Sequence, residues 1–178
     1  MVRKITRKEG APLADLDAPD TIFLDDKEFK EDAVREESNF PLLVRLGCAS
    51  SGDSRIIRSR SLSHPFVMIG STRRPIRVVP DHLLAVGEKN SWVLDAKAPN
   101  QTITSGDNVE QVYSYAIHPD TRVRLFALCN GKVSALFEVE SNEPPLHFKL
   151  KDIEESWRSL HGSLSPRAFR DDPAPRSV

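Results

Sequence analysis

Three charged residues stand at the ends of two neighbouring apolar runs in PDHLLAVGEKNSWVLDAKAP, residues 80–99. Asp81 precedes the first run, Asp95 closes the second, and Lys97 follows two positions later. Two carboxylates held close together repel each other, and burying them unpaired is costly. A divalent cation removes that cost, and Mg²⁺ accepts one or two carboxylates together with water and phosphate oxygens. A lysine beside the cation can orient water and offset charge on a phosphate, so these residue types suit metal-assisted phosphodiester hydrolysis.

A β-hairpin would bring the three residues together. If residues 87–90 form its turn, Val86 pairs with Ser91, and the register places Asp81 opposite Ala96. Because side chains alternate along a strand, the acid and the lysine of the second run share one face. The apolar positions of that run take the other face: Trp92, Leu94 and Ala96.

A plainer interpretation of the same residues stays open. Asp81 would then only begin a strand after Pro80, and Asp95 and Lys97 would form an ion pair on the surface.

The elements around this stretch are marked by apolar spacing and by turn residues. Residues 29–47 are amphipathic and acidic and predict a helix that follows or straddles Pro41, closed by Gly47. A second helix follows the cap candidates Ser105 and Asp107 and ends before Pro119. Asn130-Gly131 between two apolar runs predicts a hairpin, and KDIEESWRSLHGSL predicts a last helix. The expected domain spans residues 21–162, with a flexible lead over residues 1–20 and a disordered tail over residues 163–178.

Arginines accumulate in residues 54–80, which contain no acid. Short β-rich runs separated by Ser, Gly and Pro predict strands and loops here. One interpretation is a set of ordinary strands with solvated arginines. The other is a face that contacts the phosphates of DNA. The residues concerned are Arg55, Arg58, Arg60, Arg73, Arg74 and Arg77.

Composition restricts the class of protein. A chain of 178 residues with 39% apolar residues is long enough for one domain with a core. Its net charge of −1 means that binding to a polyanion must come from a local patch. Cys48 and Cys129 lie far apart in apolar surroundings and predict buried, reduced thiols. No apolar run approaches membrane-spanning length, and the start has no apolar region of a secretion signal, so a cytoplasmic protein without membrane contact is expected.

The ordered set of motifs resembles the PD-(D/E)xK nuclease superfamily. The set comprises PD, a hairpin, DAK, the helix segment QVYSYA, and an apolar strand ending in CNGK. It is most similar to the N-terminal nuclease domain of the restriction subunit of type I restriction enzymes. The upstream segment EDAVREESNFPLLVRLG, with Glu31 and Arg35, is similar to the first helix of that domain.

The resemblance implies a role for each matched residue. It makes Asp81, Asp95 and Glu31 ligands of Mg²⁺ or Mn²⁺, Lys97 the catalytic lysine, and Gln111 a catalytic-site glutamine. Asp95 stands where the type I family more often has glutamate, and its shorter side chain bears on the choice of metal. The implied fold is α/β, a restriction-endonuclease-like core whose central mixed sheet has four or five strands flanked by helices.

Three functions from different classes remain open. The first is a metal-dependent endodeoxyribonuclease domain of the restriction or defence type, acting on DNA, alone or within a larger complex. Cutting both strands would need a homodimer or two visits. The second is a non-catalytic nucleic-acid-binding module that keeps the fold, and a structural or partner-binding domain is a third reading. The chain has no G-x-x-x-x-G-K-[ST] motif, and the histidines show no metal-ligand spacing.

Overall fold

The structure is a computed structural model that describes residues 30–170, except for the side chains of residues 64–67 and 75–76. The lead predicted for residues 1–20 lies outside the described residues, as do residues 21–29 and 171–178. No helix in the described part of the chain is long and apolar enough to cross a membrane.

Eight strands form two sheets in the described residues. They are β1 (Ser54–Arg58), β2 (Leu62–Ile69), β3 (Thr72–Val78), β4 (His82–Val86), β5 (Lys89–Ala96), β6 (Leu125–Cys129), β7 (Val133–Glu138) and β8 (Leu146–Lys149). Six of them make the central sheet in the order β1-β4-β5-β6-β7-β8, and β2 and β3 pair separately. All neighbours in the central sheet are antiparallel except β5 and β6, which are parallel, so the sheet is mixed.

Helices cover both faces of the central sheet. The first helical region runs without a break through α1 (Glu31–Ala33), a π-helical segment (Val34–Asn39) and α2 (Phe40–Arg45). α3 (Asp107–Ala116) lies between β5 and β6 in the chain, and α4 (Ile153–Leu164) and α5 (Pro166–Arg170) follow β8. The first helical region, α4 and α5 contribute to one apolar cluster, and α3 contributes to the other.

The alternation of side chains along β5 divides the two clusters. Leu94 and Ala96 belong to the cluster under the first helical region, whereas Val93 belongs to the cluster under α3. The apolar runs are continuous because both faces of these strands are covered. The prediction of an α/β fold with a central mixed sheet flanked by helices is therefore confirmed.

The predicted number of strands was too low, because the central sheet has six. The last of them, β8, has only four residues, and its alternation of apolar and polar residues, LHFK, is too short to stand out from the polar residues before it. The runs in residues 62–78 do form strands, but these pair with each other outside the central sheet.

Two other expectations are corrected. The N-cap of α3 is Gly106, with φ of +78°, and neither Ser105 nor Asp107 caps the helix. The tail expected to be disordered from residue 163 continues α4 to Leu164 and then forms α5, whose Pro166 is buried. Apolar contacts of this segment with the core outweigh its polar composition.

Two local predictions are confirmed. Asn130 and Gly131 lie in the turn between β6 and β7, where the Asn130 side chain accepts a hydrogen bond from the backbone N–H of Val133 at 2.9 Å. Cys48 and Cys129 are buried free thiols, and burial raises the pKa of Cys48 to about 11 and that of Cys129 to about 12.

Candidate active site

The β4–β5 hairpin carries the two aspartates, but its turn differs from the prediction. Val86 pairs with Lys89 instead of Ser91, and the turn needs a positive φ, +61°, which Gly87 supplies. A bulge then shifts the register, so that His82 pairs with Leu94. The shift brings Asp81 level with Asp95 and not with Ala96, because the tighter turn and the bulge together move the pairing by one residue.

Lys97 links Asp95 to Gln111. Its Nζ lies 2.8 Å from Asp95 Oδ2 and donates a hydrogen bond of 2.7 Å to Gln111 Oε1. The shared face of Asp95 and Lys97 is thus confirmed. The backbone N–H of Lys97 donates to the carbonyl of Cys129, which ties the lysine to the end of β6. Gln111 lies on α3, so this hydrogen bond joins that helix to the end of β5.

The Asp95–Lys97 pair is buried. Asp95 is 4% exposed and Lys97 is 5% exposed. The alternative of a surface ion pair is therefore wrong, because both partners have left water. Such a pair is retained only with good geometry and further hydrogen bonds, and this one has both.

Asp81 is bound on both carboxylate oxygens. Its Oδ2 accepts a hydrogen bond of 2.8 Å from the backbone N–H of Ala96, and its Oδ1 accepts one of 3.0 Å from Arg35 Nη1. The backbone N–H of Asp81 donates in turn to Asp95 Oδ1 at 3.2 Å. Asp81 does more than begin a strand, since it joins the hairpin to the first helical region through Arg35, 46 positions away in the sequence.

Burial and neighbouring charge raise the pKa values of Asp95 and Tyr115. Burial, together with the charge of Asp81, raises the pKa of Asp95 to about 6, although Lys97 opposes the rise. Burial also raises the pKa of Tyr115 to about 12, with the charges of Asp95 and Asp81 adding to the rise and a hydrogen bond with Gln111 opposing it. Tyr115 is therefore a neutral hydroxyl beside the carboxylates at neutral pH.

Glu31 is the first residue of α1 and is exposed. Desolvation raises its pKa, Lys97 lowers it, and Asp81 raises it, so Glu31 senses the same charges as the buried site. Within residues 30–170, however, no group of three His, Cys, Asp or Glu side chains converges to hold a metal ion. Asp81 and Asp95 come together, and Glu31 remains outside their immediate pair.

The six arginines separate into different surroundings. Arg55 donates to the carbonyl of Gly87 at 2.7 Å, and Arg58 lies 4.4 Å above the ring of Phe40 and 3.6 Å from a carboxylate oxygen of Glu36. These two therefore help to hold β1 in place. All six are exposed, and the other four lie on the β1–β2 connection and on β3: Arg60, Arg73, Arg74 and Arg77.

Arg35, Tyr115 and His82 adjoin the site without having been assigned roles from the sequence. His82 is fully buried, and neither ring nitrogen has a hydrogen-bond partner among the described residues. Burial lowers its pKa to about 4, so it is neutral. In the sequence, only its position next to Asp81 indicated that His82 would lie beside the site. Nothing in the local pattern distinguishes a buried histidine from an exposed one at the start of a strand.

Comparisons of the chain with protein-family models, curated proteins and solved structures find no match.

Proposed function

We propose that this chain is a metal-dependent endodeoxyribonuclease domain with a PD-(D/E)xK type of site and a restriction-endonuclease-like core. The observation that carries the proposal is the chain of contacts Asp81–Asp95–Lys97–Gln111, of 2.7–3.2 Å, at one end of a mixed sheet. The resemblance of the motifs to the nuclease domain of type I restriction subunits supports the same assignment.

The residues present fit a hard divalent cation. Asp81 and Asp95 offer carboxylate oxygens close together. Burial, and after it repulsion from Asp81, raises the pKa of Asp95, and a bound cation would relieve that repulsion. Asp81 and Asp95 would hold Mg²⁺ or Mn²⁺, and Glu31, the first residue of α1, would be the third carboxylate ligand. Two carboxylates are enough for Mg²⁺, which keeps several waters. When bound, the cation would polarise a phosphate oxygen and make water more acidic.

Lys97 is the residue that acts on water and phosphate in this proposal. An ammonium has three N–H donors, and the described residues supply two acceptors, Asp95 and Gln111. The third donor can orient a water molecule or bind a phosphate oxygen on which negative charge develops. Gln111 positions the lysine, because its amide oxygen accepts from the same nitrogen. Burial strengthens each of these interactions, since little water screens them.

DNA is the proposed substrate, and the exposed arginines on β3 support it. The segment of residues 54–80 has no acid, so it contributes no carboxylate of its own that would repel phosphates. The restriction or defence setting, including membership of a larger complex, follows from the resemblance. Cleavage of both strands would require two sites, and hence a homodimer or two binding events.

A non-catalytic nucleic-acid-binding module is the second candidate, and a specific observation favours it. All four carboxylate oxygens of Asp81 and Asp95 already have protein donors: Arg35, Lys97 and two backbone N–H groups. In such a module these contacts would replace the cation. Binding of plasmid DNA without nicking in Mg²⁺ or Mn²⁺ would favour this candidate.

Lys97→Met tests the nuclease assignment. The methionine keeps the length of the side chain and removes the charge, so the protein should still bind Mn²⁺ by calorimetry, as tightly or more tightly. Nicking of supercoiled plasmid at saturating metal should fall about a hundredfold or more, the scale lost with one preorganised electrostatic group. Asp95→Asn should lose both metal binding and nicking.

Lys149→Met is the matched control, because Lys149 is an exposed lysine on β8. It should nick plasmid at the wild-type rate. The melting temperature of each single variant shows whether its loss of nicking reflects unfolding. The double variant Asp95→Asn/Lys97→Met, which removes both buried charges, shows whether one unpaired buried charge is what destabilises the single variants. A wild-type nicking rate for a folded Lys97→Met protein would contradict the assignment.

A further inference from the structure

β2 and β3 form a two-stranded arm that is separate from the central sheet, here called the β2–β3 arm (Leu62–Val78). Its base is anchored, because Leu62 is fully buried and pairs with Val78, which packs on the apolar cluster under α3. Its tip is the turn at Gly70, where φ is +61° and Ile69 pairs with Thr72. The arm is therefore anchored at its base, whereas residues 68–74 around its tip are exposed.

The tip of the arm exposes two large apolar side chains. Met68 is 51% exposed and Ile69 is 66% exposed, the highest values among the exposed large apolar residues in the described part of the chain. Because they are consecutive in a strand, they point to opposite faces of the ribbon. The tip is thus an apolar wedge with two sides.

Arginines follow the wedge along β3. Arg73 pairs with Met68 across the strands, and Arg74 and Arg77 continue toward the base. All three are exposed, and the arm contains no acid. A polyanion complements this charge, whereas two copies of the arm would place like charges against each other.

The base of the arm lies next to the candidate active site. The backbone N–H of Ser59, on the approach to β2, donates to the carbonyl of Asp81 at 3.1 Å. Strand β3 ends at Val78, three positions before Asp81. With eight residues in β2 and a rise of about 3.3 Å for each, the arm reaches roughly 20–25 Å from this base. That distance corresponds to about six or seven base pairs of duplex DNA at roughly 3.4 Å each.

We infer that the β2–β3 arm runs along a groove of duplex DNA and inserts its tip as a wedge between stacked base pairs, with Met68 and Ile69 on the two sides of the wedge, about six or seven base pairs from the phosphate bound at the candidate active site. The inference rests on the proposed function and adds a mode of substrate recognition to it. A two-stranded ribbon fits the major groove. Apolar side chains of this size act as wedges that unstack and kink DNA, while arginines hold the phosphates.

Unstacking can be measured directly with 2-aminopurine, whose fluorescence rises when it leaves the base stack. Duplexes of 20 base pairs, each with one 2-aminopurine, are saturated with the full chain in Ca²⁺ so that cleavage does not interfere. We expect the wild-type protein to raise the fluorescence about twofold or more. Met68→Ser/Ile69→Ser should bind within about threefold of the wild-type affinity but lose the rise, because the phosphate contacts remain.

Val79→Ser is the matched control, since Val79 is an apolar residue 44% exposed at the base of the arm. It should behave as the wild-type protein does. Saturable DNA binding without a fluorescence rise, or a rise that survives in the double variant, would overturn the wedge and leave the nuclease proposal standing. Absence of any DNA binding would overturn both.

Two further measurements test whether the tip of the arm binds a lipid surface or a second copy of the chain instead of DNA. If the double variant loses binding to phosphatidylserine vesicles while the DNA response is unchanged, the wedge serves a lipid surface and the inference is wrong. If it converts a dimer to a monomer in sedimentation with no change in DNA fluorescence, the tip contacts a second copy, and the inference is equally wrong. Unchanged vesicle binding and sedimentation, together with the lost fluorescence rise, would support it.

Discussion

Burial changes the chemistry of the charged residues at the end of β5. An exposed ion pair contributes about 0–1 kcal/mol and does not prepare either group for catalysis. Asp95 and Lys97 are excluded from water instead, and hydrogen bonds to Asp81 and Gln111 orient them. The raised pKa of Asp95 is the electrostatic consequence, and it is typical of groups at functional sites.

Arg35 provides a first test at this scale. Its guanidinium lies 3.0 Å from Asp81 Oδ1, where its charge opposes a cation bound by the same carboxylate. Arg35→Gln should therefore tighten Mn²⁺ binding about tenfold or more, measured by calorimetry. Arg45→Gln is the control, because Arg45 lies in the same helical region and pairs with Glu154, away from the site. Weaker binding in Arg35→Gln alone would show that Arg35 supports the metal site.

His82 provides a second test, through pH. Its folded-state pKa, lowered to about 4 by burial, lies below the ordinary value of 6.5. The unfolded chain therefore binds more protons between these values, so the contribution of neutral His82 to stability is present above pH 6.5 and is lost as pH falls toward 4. Asp95 titrates in the same pH range, and because its pKa is raised, its contribution to stability changes with pH in the opposite direction. The same contribution is present in both proteins compared below and cancels in the difference between them.

The comparison is between the wild-type protein and His82→Leu, unfolded by urea at pH 7.5 and 5.0 in EDTA. The wild-type free energy of unfolding should fall by about 2 kcal/mol more than that of the variant between the two pH values. Parallel pH profiles would mean that the imidazole is not held neutral by the fold.

At the scale of elements, the first helical region accommodates a proline, Pro41, without ending. Pro41 cannot donate a backbone hydrogen bond and clashes within a regular α-helix. Pro41 lies at the start of α2, directly after the π-helical segment, where the N–H of Phe40 donates to the carbonyl of Arg35, five residues back. The helical region therefore straddles Pro41 without ending, as predicted, and the π-helical segment carries Arg35 beside Asp81. π-helical turns are frequent at functional sites.

The arginines of β3 form the element-scale test of DNA binding. Replacing Arg73, Arg74 and Arg77 by alanine should weaken binding similarly for all duplex sequences and flatten its dependence on salt, because lost phosphate contacts release fewer counterions. The melting temperature should barely change, since all three are exposed. Fluorescence anisotropy over a range of salt concentrations measures both effects. If the affinity and the salt slope are unchanged, these arginines are merely solvated strand residues.

At the scale of the whole molecule, α5 extends the fold beyond the domain end predicted at residue 162. Phe169 packs on the apolar cluster under the first helical region, and Arg170 lies 2.6 Å from Asp53, on the approach to β1. The C-terminal segment thus packs next to the start of β1.

Apolar burial, and not the ion pair, should supply the stability of this closure. Phe169→Ala should lower the free energy of unfolding by about 1–2 kcal/mol, because a half-buried ring is removed. Arg170→Ala should cost only about 0–1 kcal/mol, because the pair is exposed. Urea unfolding of the two variants makes the comparison. Equal stability of Phe169→Ala and the wild-type protein would mean that α5 is dispensable, as a disordered tail would be.

The features that depend on near neighbours in the chain were predictable from the order of the residues. Alternation along β5 placed Asp95 and Lys97 on one face, turn residues identified the β4–β5 and β6–β7 hairpins, and helical spacing located α3 with Gln111. Even the error in register was local, since a turn two residues shorter than predicted and a bulge between Leu84 and Ala85 together move the pairing by one residue. These features follow from backbone geometry over a few residues, which residue order specifies directly.

Which distant segments come into contact, and which charged groups are buried, depends on the folded chain as a whole. The contact of Arg35 with Asp81, the parallel pairing of β5 with β6, the burial of Lys97 and the packing of α5 all join residues remote in the sequence. Such contacts depend on how the whole chain closes around its core, and many closures are compatible with one local pattern. Burial then sets the local dielectric, and with it the pKa of Asp95 and of His82, which no spacing of residues encodes.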